Sequence, residues 1–397
     1  MLRPAPHIAN VKYAIRNIAQ EASRLEAQGR RILACNIGDP LKYDFPTPPH
    51  LVAAVEKAMH DGLNGYGPSA GVQRAREAVA ADANKRGMPL VRPSNVFITA
   101  GAAEAIDLTL TSLLEPGDEV LLPSPGYPLY NAIAARLNAV AVSYYLDESK
   151  NWAIDPDELE SHITPRTRAI VICNPNNPTG AVLNRATLER VIDVARRHQL
   201  ALLTDEIYDK LRYDGTHVPT GSLADDVPII MFNGLSKAYL ACGWRVGWLA
   251  FVNPSLTLEV EAAVQRLADA RLCGPAPFQY AVEPALTGPQ DHIPVMMAKM
   301  RSRRDVMVKA IRAIPGLSVV EPQGAFYAMP RIQLPGVDDD ERFILELLHE
   351  TGVLFVHGSG FGQLPGTQHF RVVFLPPEQV LTEAFETLGR FIRSRAH

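Results

Sequence analysis

Cysteine is scarce in this chain. Four thiols, Cys35, Cys173, Cys242 and Cys273, serve 397 residues, and no two stand at C-x-x-C or metal-ligand spacing. A disulfide framework and a zinc-type centre are therefore not expected, and a reduced cytoplasmic compartment is. The 11 histidines form no ligand cluster, and His217, His357 and His369 read as structural. No apolar run approaches the roughly 20 residues that span a bilayer. The segment Met1-Leu2-Arg3-Pro4-Ala5-Pro6-His7 has no apolar leader. With 39 basic against 43 acidic side chains, the net charge is −4, so no positive excess exists to attract nucleic acid or an anionic membrane. Internal repeats and low-complexity tracts are also missing.

What is present is an alternation. At this length two domains are the natural expectation. Apolar runs at 96–99, 119–122, 169–173, 201–204 and 228–232 read as strands, with helical periodicity at 49–61, 71–86, about 102–114 and 186–198 between them. A further strand follows Arg245. Continuous apolar strands separated by helices predict a mainly parallel sheet covered on both faces. The large domain is expected over 48–285. Residues 1–47 and 286–397 are expected to form a smaller α+β domain, with helices at 10–30, 289–313, 340–351 and 377–395. A strand is expected at 31–37 and another long helix at 255–285. Prolines at 40, 46, 48 and 49 exclude helix or central strand between them.

The polar and glycine-rich motifs fall at the carboxyl ends of these strands, the edge where parallel sheets bind ligands. Gly101-Ala102-Ala103 opens a helix directly after a strand, which presents backbone N–H groups and a positive helix end to an anion. Ser236 and Arg245 add side chains of the kind that grip phosphate. Lys237 stands between them, after the apolar run 228–232, where a nucleophilic amine can be held rigidly. A lysine beside a phosphate site points to a phosphorylated aldehyde, pyridoxal 5'-phosphate. That chemistry asks for a carboxylate facing the pyridine nitrogen, for which Asp205 is placed. It also asks for donors to the ring oxygen (Asn177 and Tyr208), an aromatic over the ring (Tyr127) and a planar cation for the substrate carboxylate (Arg371). Each residue alone has an ordinary reading: Asp205 as a helix cap, Arg371 as a surface residue, Asn174–Gly180 as a tight turn. Their common edge is what distinguishes them.

Taken together, Asn36-Ile37-Gly38-Asp39-Pro40, Asn174 to Gly180, Asp205-Glu206-Ile207-Tyr208, Ser236-Lys237 with Gly243-Trp244-Arg245, and His369-Phe370-Arg371 resemble the class I/II aminotransferases, of the pyridoxal-phosphate transferase fold type I. Finer stretches, Tyr13-Ala14-Ile15-Arg16 and Val356-His357-Gly358-Ser359-Gly360-Phe361-Gly362 among them, are similar to the alanine aminotransferase group. The resemblance implies a seven-stranded main sheet, and that Lys237 carries the cofactor and moves the proton between Cα and C4′. It implies that Asp205 pairs with the pyridinium and that Ala102, Ala103, Ser236 and Arg245 hold the phosphate, joined by Tyr66 from the partner in a homodimer. Gly38, Asn177 and Arg371 would hold the substrate carboxylate. Where relatives often carry hydroxyls at the phosphate helix, this chain has Ala102 and Ala103, so only their backbone can contribute.

The expected reaction is a ping-pong exchange between alanine and 2-oxoglutarate. Arg16, with Tyr13 closing the site, is the candidate for the side-chain carboxylate of glutamate, and Arg271 is a weaker one. An aspartate, aromatic or branched-chain aminotransferase, or a C–S lyase, remains open as an alternative. The glycines of 358–362 do not fit a dinucleotide fingerprint, and this segment is expected to be flexible.

Overall fold

The computed structural model describes residues 2–11 and 13–395, with the side chains of Ala14 and Arg16 outside the description. Its main sheet has eight strands: β1 (Val96–Thr99), β2 (Glu119–Ser124), β3 (Val140–Asp147), β4 (Ala153–Ile154), β5 (Thr167–Cys173), β6 (Ala201–Asp205), β7 (Ile229–Gly234) and β8 (Gly247–Phe251). Their order across the sheet is β1-β8-β7-β6-β5-β2-β3-β4. Six strands share one direction, while β8 and the two-residue β4 run against their neighbours. The structure adds β3 and the short β4, which closes the edge on Leu146 and Asp147, to the six strands read from the sequence, one more than the seven that the resemblance implies.

The central strands form where the sequence is apolar without interruption, because both faces are covered. Ile170, Val171, Leu202, Leu203, Ile229 and Ile230 are all buried. On one face Phe97 and Phe251 meet edge-to-face at 6.1 Å, beside the buried Phe232. β3 lacks such a run and lies near the margin, where its residues are mostly half-buried.

A second sheet joins Leu317–Ser318, Arg331–Ile332, Gln368–Val373 and Tyr327–Ala328, with Val356–His357 also paired to Gln368–Val373. Leu33–Ala34 pairs in parallel with Val353–Leu354, which ties the N-terminal part to the C-terminal part. The strand expected over 31–37 is thus two residues long.

Three other expectations are corrected. The first helix spans Ala14–Ala27, after a separate 3-10 turn at Pro6–Asn10, not 10–30. The expected helix over 255–285 is three pieces, Leu258–Ala270, Ala276–Gln279 and Val282–Thr287. Its break falls where Leu272 adopts φ 74° just before Gly274-Pro275, a backbone that cannot continue a helix. The segment 358–362 is an ordered turn, described below. Among the described residues no helix is long and apolar enough to cross a membrane.

Candidate active site

The carboxyl ends of β1, β5, β6 and β7 converge on a cavity of about 520 Å³. Its walls include Tyr13, Gly38, Ala102, Ala103, Tyr127, Asn177, Asp205, Tyr208, Ser236, Lys237, Arg245 and Arg371. Residues from eight separate stretches therefore meet at one place. Two expected members do not. Tyr66 is 87% exposed and stands outside this cavity. The side chain of Arg16 lies outside the described residues.

One end of the cavity is built for an anion. Gly101 adopts φ 80°, and a Cβ there would collide with the guanidinium of Arg245, so only glycine allows the helix Ala102–Leu113 to begin this close to that side chain. Gly247, at the start of β8, is equally constrained by Gly101 and the Ala102 nitrogen. Arg245 donates to the carbonyls of Cys242 (3.1 Å) and Ala100 (3.2 Å) and forms no ion pair among the described residues. A helix N-terminus, an arginine without a counter-ion and the Ser236 hydroxyl thus adjoin one another.

Two neighbouring carboxylates at the end of β6 have opposite electrostatics. Glu206 is fully buried, which disfavours its charge, but His217 at 3.0 Å and Arg86 at 2.8 Å hold its pKa down at about 2. Asp205 is also buried, yet among the described residues its hydrogen-bond donors are neutral, the Ile207 N–H (3.2 Å) and the Tyr130 hydroxyl (3.3 Å). Burial pushes its pKa up to about 6 against these two hydrogen bonds. Glu206 is a satisfied structural ion; Asp205 lines the cavity and forms no ion pair among the described residues, with Lys237 as the cation that acts on it from a distance.

Lys237 follows β7, and its Nζ donates to the Gly38 carbonyl at 2.7 Å, 5.7 Å from the centre of the Phe326 ring. Tyr127 accepts a hydrogen bond from Tyr13 at 3.1 Å. Burial raises the pKa of Tyr127 and of Tyr208, so both hydroxyls hold their protons in this state.

The other charged group is Arg371. It is 2% exposed, donates to Asn177 Oδ1 (3.1 Å) and to the Asn36 carbonyl, and leaves its Nε without a partner. No carboxylate among the described residues pairs with it. A buried guanidinium with a free donor is suited to hold an anion.

Sequence reasoning missed Tyr327, Phe326 and Tyr130. Tyr327 shares a 2.9 Å hydrogen bond with Tyr208, and its ring centre lies 4.9 Å from the Arg371 guanidinium carbon. Its hydroxyl also occupies the space a Cβ on Gly38 would need. The apolar run Gly324–Met329 signals a strand and gives no hint that one residue faces a ligand. Arg271 lies outside the cavity, bound to Glu104 and to the Ser69 and Ile98 carbonyls.

Known proteins similar to this chain are described as aminotransferases. The chain is 41% identical to an alanine aminotransferase of Mycobacterium tuberculosis, over 98% of this chain and 92% of that one. It is 37% identical to the glutamate-pyruvate aminotransferase AlaA of Escherichia coli, over 97% and 96% respectively. The solved structure of an alanine aminotransferase from Pyrococcus furiosus superposes with a TM-score of 0.96 at 43% identity, covering 99% of this chain and all of that one. A family model for aminotransferases of class I and II matches residues 36–388, and the chain belongs to that family.

Proposed function

We propose that this enzyme exchanges an amino group between alanine and 2-oxoglutarate, giving pyruvate and glutamate by a ping-pong course, with pyridoxal phosphate as cofactor. The observation that carries the reading is a single cavity lined by a lysine amine and by a buried carboxylate (Asp205) and a buried guanidinium (Arg371) that form no ion pair among the described residues. Relatives described as alanine and glutamate-pyruvate aminotransferases support the choice of substrates.

Pyridoxal phosphate fits these residues. Its phosphate would be held by the Ala102 and Ala103 N–H groups, Ser236 and Arg245, its ring nitrogen by Asp205, and its ring oxygen by Asn177 and Tyr208. Tyr127 would lie on the ring face. When bound, it supplies an aldehyde that condenses with amines and a protonated ring that accepts electrons. Lys237 would hold it between turnovers and, once displaced by the substrate amine, would take the proton from Cα and return it elsewhere. Arg371, Asn177 and the Gly38 segment would orient the substrate carboxylate so that the Cα–H bond faces Lys237. Tyr327 would keep the Tyr208 hydroxyl aimed. Tyr327→Phe should therefore lower kcat/KM roughly 5-fold, the effect of one buried hydrogen bond of ~1 kcal/mol, as steady-state kinetics would record.

We further propose two structural units, 48–285 and 1–47 with 286–397, in a cytoplasmic homodimer. Tyr66 is exposed and does not line its own cavity, and Leu63 and Leu272 are also exposed. In this reading they meet the partner, and Tyr66 completes the partner's phosphate site.

The deciding assay supplies alanine and 2-oxoglutarate to pure enzyme. Equal amounts of pyruvate and glutamate support transamination; release of ammonia would favour a lyase. An amino-donor panel separates alanine from aspartate, aromatic and branched-chain donors. Arg16 is proposed to meet the γ-carboxylate of glutamate, with Tyr13 beside it. Arg16→Ala should raise KM for glutamate and 2-oxoglutarate roughly 10-fold, as expected for one charge-assisted hydrogen bond, while sparing alanine. Equal losses in both half-reactions would overturn this role.

A further inference from the structure

The glycine-rich segment after Val356–His357 is a strap fastened at both ends. Its inner fastening is Asp340, 2% exposed, in the first turn of the helix Asp340–Thr351. Asp340 Oδ1 accepts from the Ser359 hydroxyl at 2.6 Å. Oδ2 accepts from Ser359 N (3.0 Å), Gln363 Nε2 (2.6 Å) and His369 N (3.3 Å). The Ser359 hydroxyl, committed as a donor to Asp340, also lies 2.7 Å from His357 Nδ1. Gly358 has no room for a side chain, since a Cβ would collide with Gln363 and lie 2.7 Å from the His369 Cβ. The outer fastening is to the main sheet. Phe361 O accepts from Gly126 N at 2.8 Å, and Gly362 turns at φ 75° against Ser124.

What the strap carries is Phe361. Its ring centre lies 4.6 Å from the guanidinium carbon of Arg371, and both residues are 2% exposed. A guanidinium against a ring is held in orientation and shielded from water, which strengthens its pairing with an anion. Neither Asp340 nor Ser359 lines the cavity, so their effect on it must pass through the strap.

We propose that Asp340 is a positioning residue for substrate binding: it ties down Ser359–Gln363 and so keeps Phe361 seated on Arg371. The inference rests on the reading of Arg371 as the grip for the substrate carboxylate. That carboxylate is common to amino acid and oxo acid. Loosening the strap should therefore weaken both substrates together, unlike the loss of Arg16.

The test compares holoenzymes of the parent, Asp340→Ala, Asp340→Asn, Ser359→Ala and Arg371→Lys. Their KM and kcat are measured for alanine and 2-oxoglutarate. Calorimetry measures binding of propionate, which has a carboxylate but no amine to react. Asp340→Ala should raise both KM values and the propionate Kd by roughly 10-fold, with kcat changed by less than about 2-fold, the pattern of lost ground-state binding. Asp340→Asn keeps an oxygen for the three N–H donors and an amide for Ser359, so it should restore most of the affinity. Ser359→Ala should reproduce the shift in part, and it decides the matter if Asp340→Ala does not fold. Unchanged KM and propionate binding in Ser359→Ala and Asp340→Ala, with Arg371→Lys weakened, would overturn the strap and leave the Arg371 reading standing. Unchanged binding in Arg371→Lys would overturn that reading, and the inference with it.

Discussion

Lys237→Ala should lower turnover of alanine with 2-oxoglutarate by roughly 10,000-fold or more, the upper range for loss of a positioned acid–base group. The reason lies in how little freedom this lysine has. β7 ends at Gly234, where a Cβ would lie 2.8 Å from the Gly247 Cα, so β7 and β8 are in close contact immediately before the lysine turn. The turn is then held from outside. Thr47 donates to the Leu240 carbonyl, the His292 ring lies 3.0 Å from the Ala238 carbonyl, and Cys242 Sγ donates to Ser236 O at 2.8 Å. The amine arrives at the cavity already fixed, on Gly38 O. An effect of this size cannot come from lost packing, because Lys237 fills no core position. The variant's Tm should stay within a few degrees of the parent's. Lys237→Arg should be almost as inactive, because a guanidinium does not give up its proton. A Lys237→Ala protein that still develops the visible absorption of lysine-bound pyridoxal would remove Lys237 from its role.

That lysine was legible because parallel sheets deliver ligand groups at one edge, and each strand end there carries unusual punctuation. Gly101-Ala102, Asn174–Gly180, Asp205 and Ser236-Lys237 all follow apolar runs and could be read as a set. The residues that tune these groups were not legible. Tyr327 follows Phe326 in a strand where either aromatic could face inward, and only the pairing of Tyr327 with Val373 fixes which does what. Asp340 begins a helix behind Asp339, and an acid in a first turn is ordinary. Its four donors come from segments 19 to 29 residues away. The strap itself was misread because clustered glycines signal flexibility in isolation. Here Gly358 and Gly362 are small for close approach and for a left-handed turn. β3 escaped notice for a related reason: a strand next to the sheet margin is half-buried, so its apolar pattern is diluted.

The contrast between Asp205 and Glu206 yields the second large effect, and it has opposite signs for activity and stability. Asp205→Asn should cost roughly 100- to 5,000-fold in kcat/KM, the range expected when one partner of a buried ion pair worth ~3–5 kcal/mol is removed. Without cofactor the same change should stabilise the protein. The folded pKa of Asp205, about 6, lies above its ordinary value of 3.8. Between those two values the folded state binds more protons than the unfolded state. Stability therefore falls as pH rises through that window and stays reduced above it. A shift of this order corresponds to roughly 3 kcal/mol at pH 8. Asparagine avoids that cost: its oxygen can still accept from the Ile207 N–H, and its amide can donate to the Tyr130 hydroxyl. Urea unfolding of the cofactor-free proteins should thus find Asp205→Asn more stable than the parent at pH 8 and little different near pH 4. Adding pyridoxal phosphate should reverse the order at pH 8, because only the carboxylate gains a cation from the ring nitrogen. If the cofactor-free variant is no more stable at pH 8, the charge on Asp205 is compensated within the protein itself. The cavity would then not be waiting for a cation at that position.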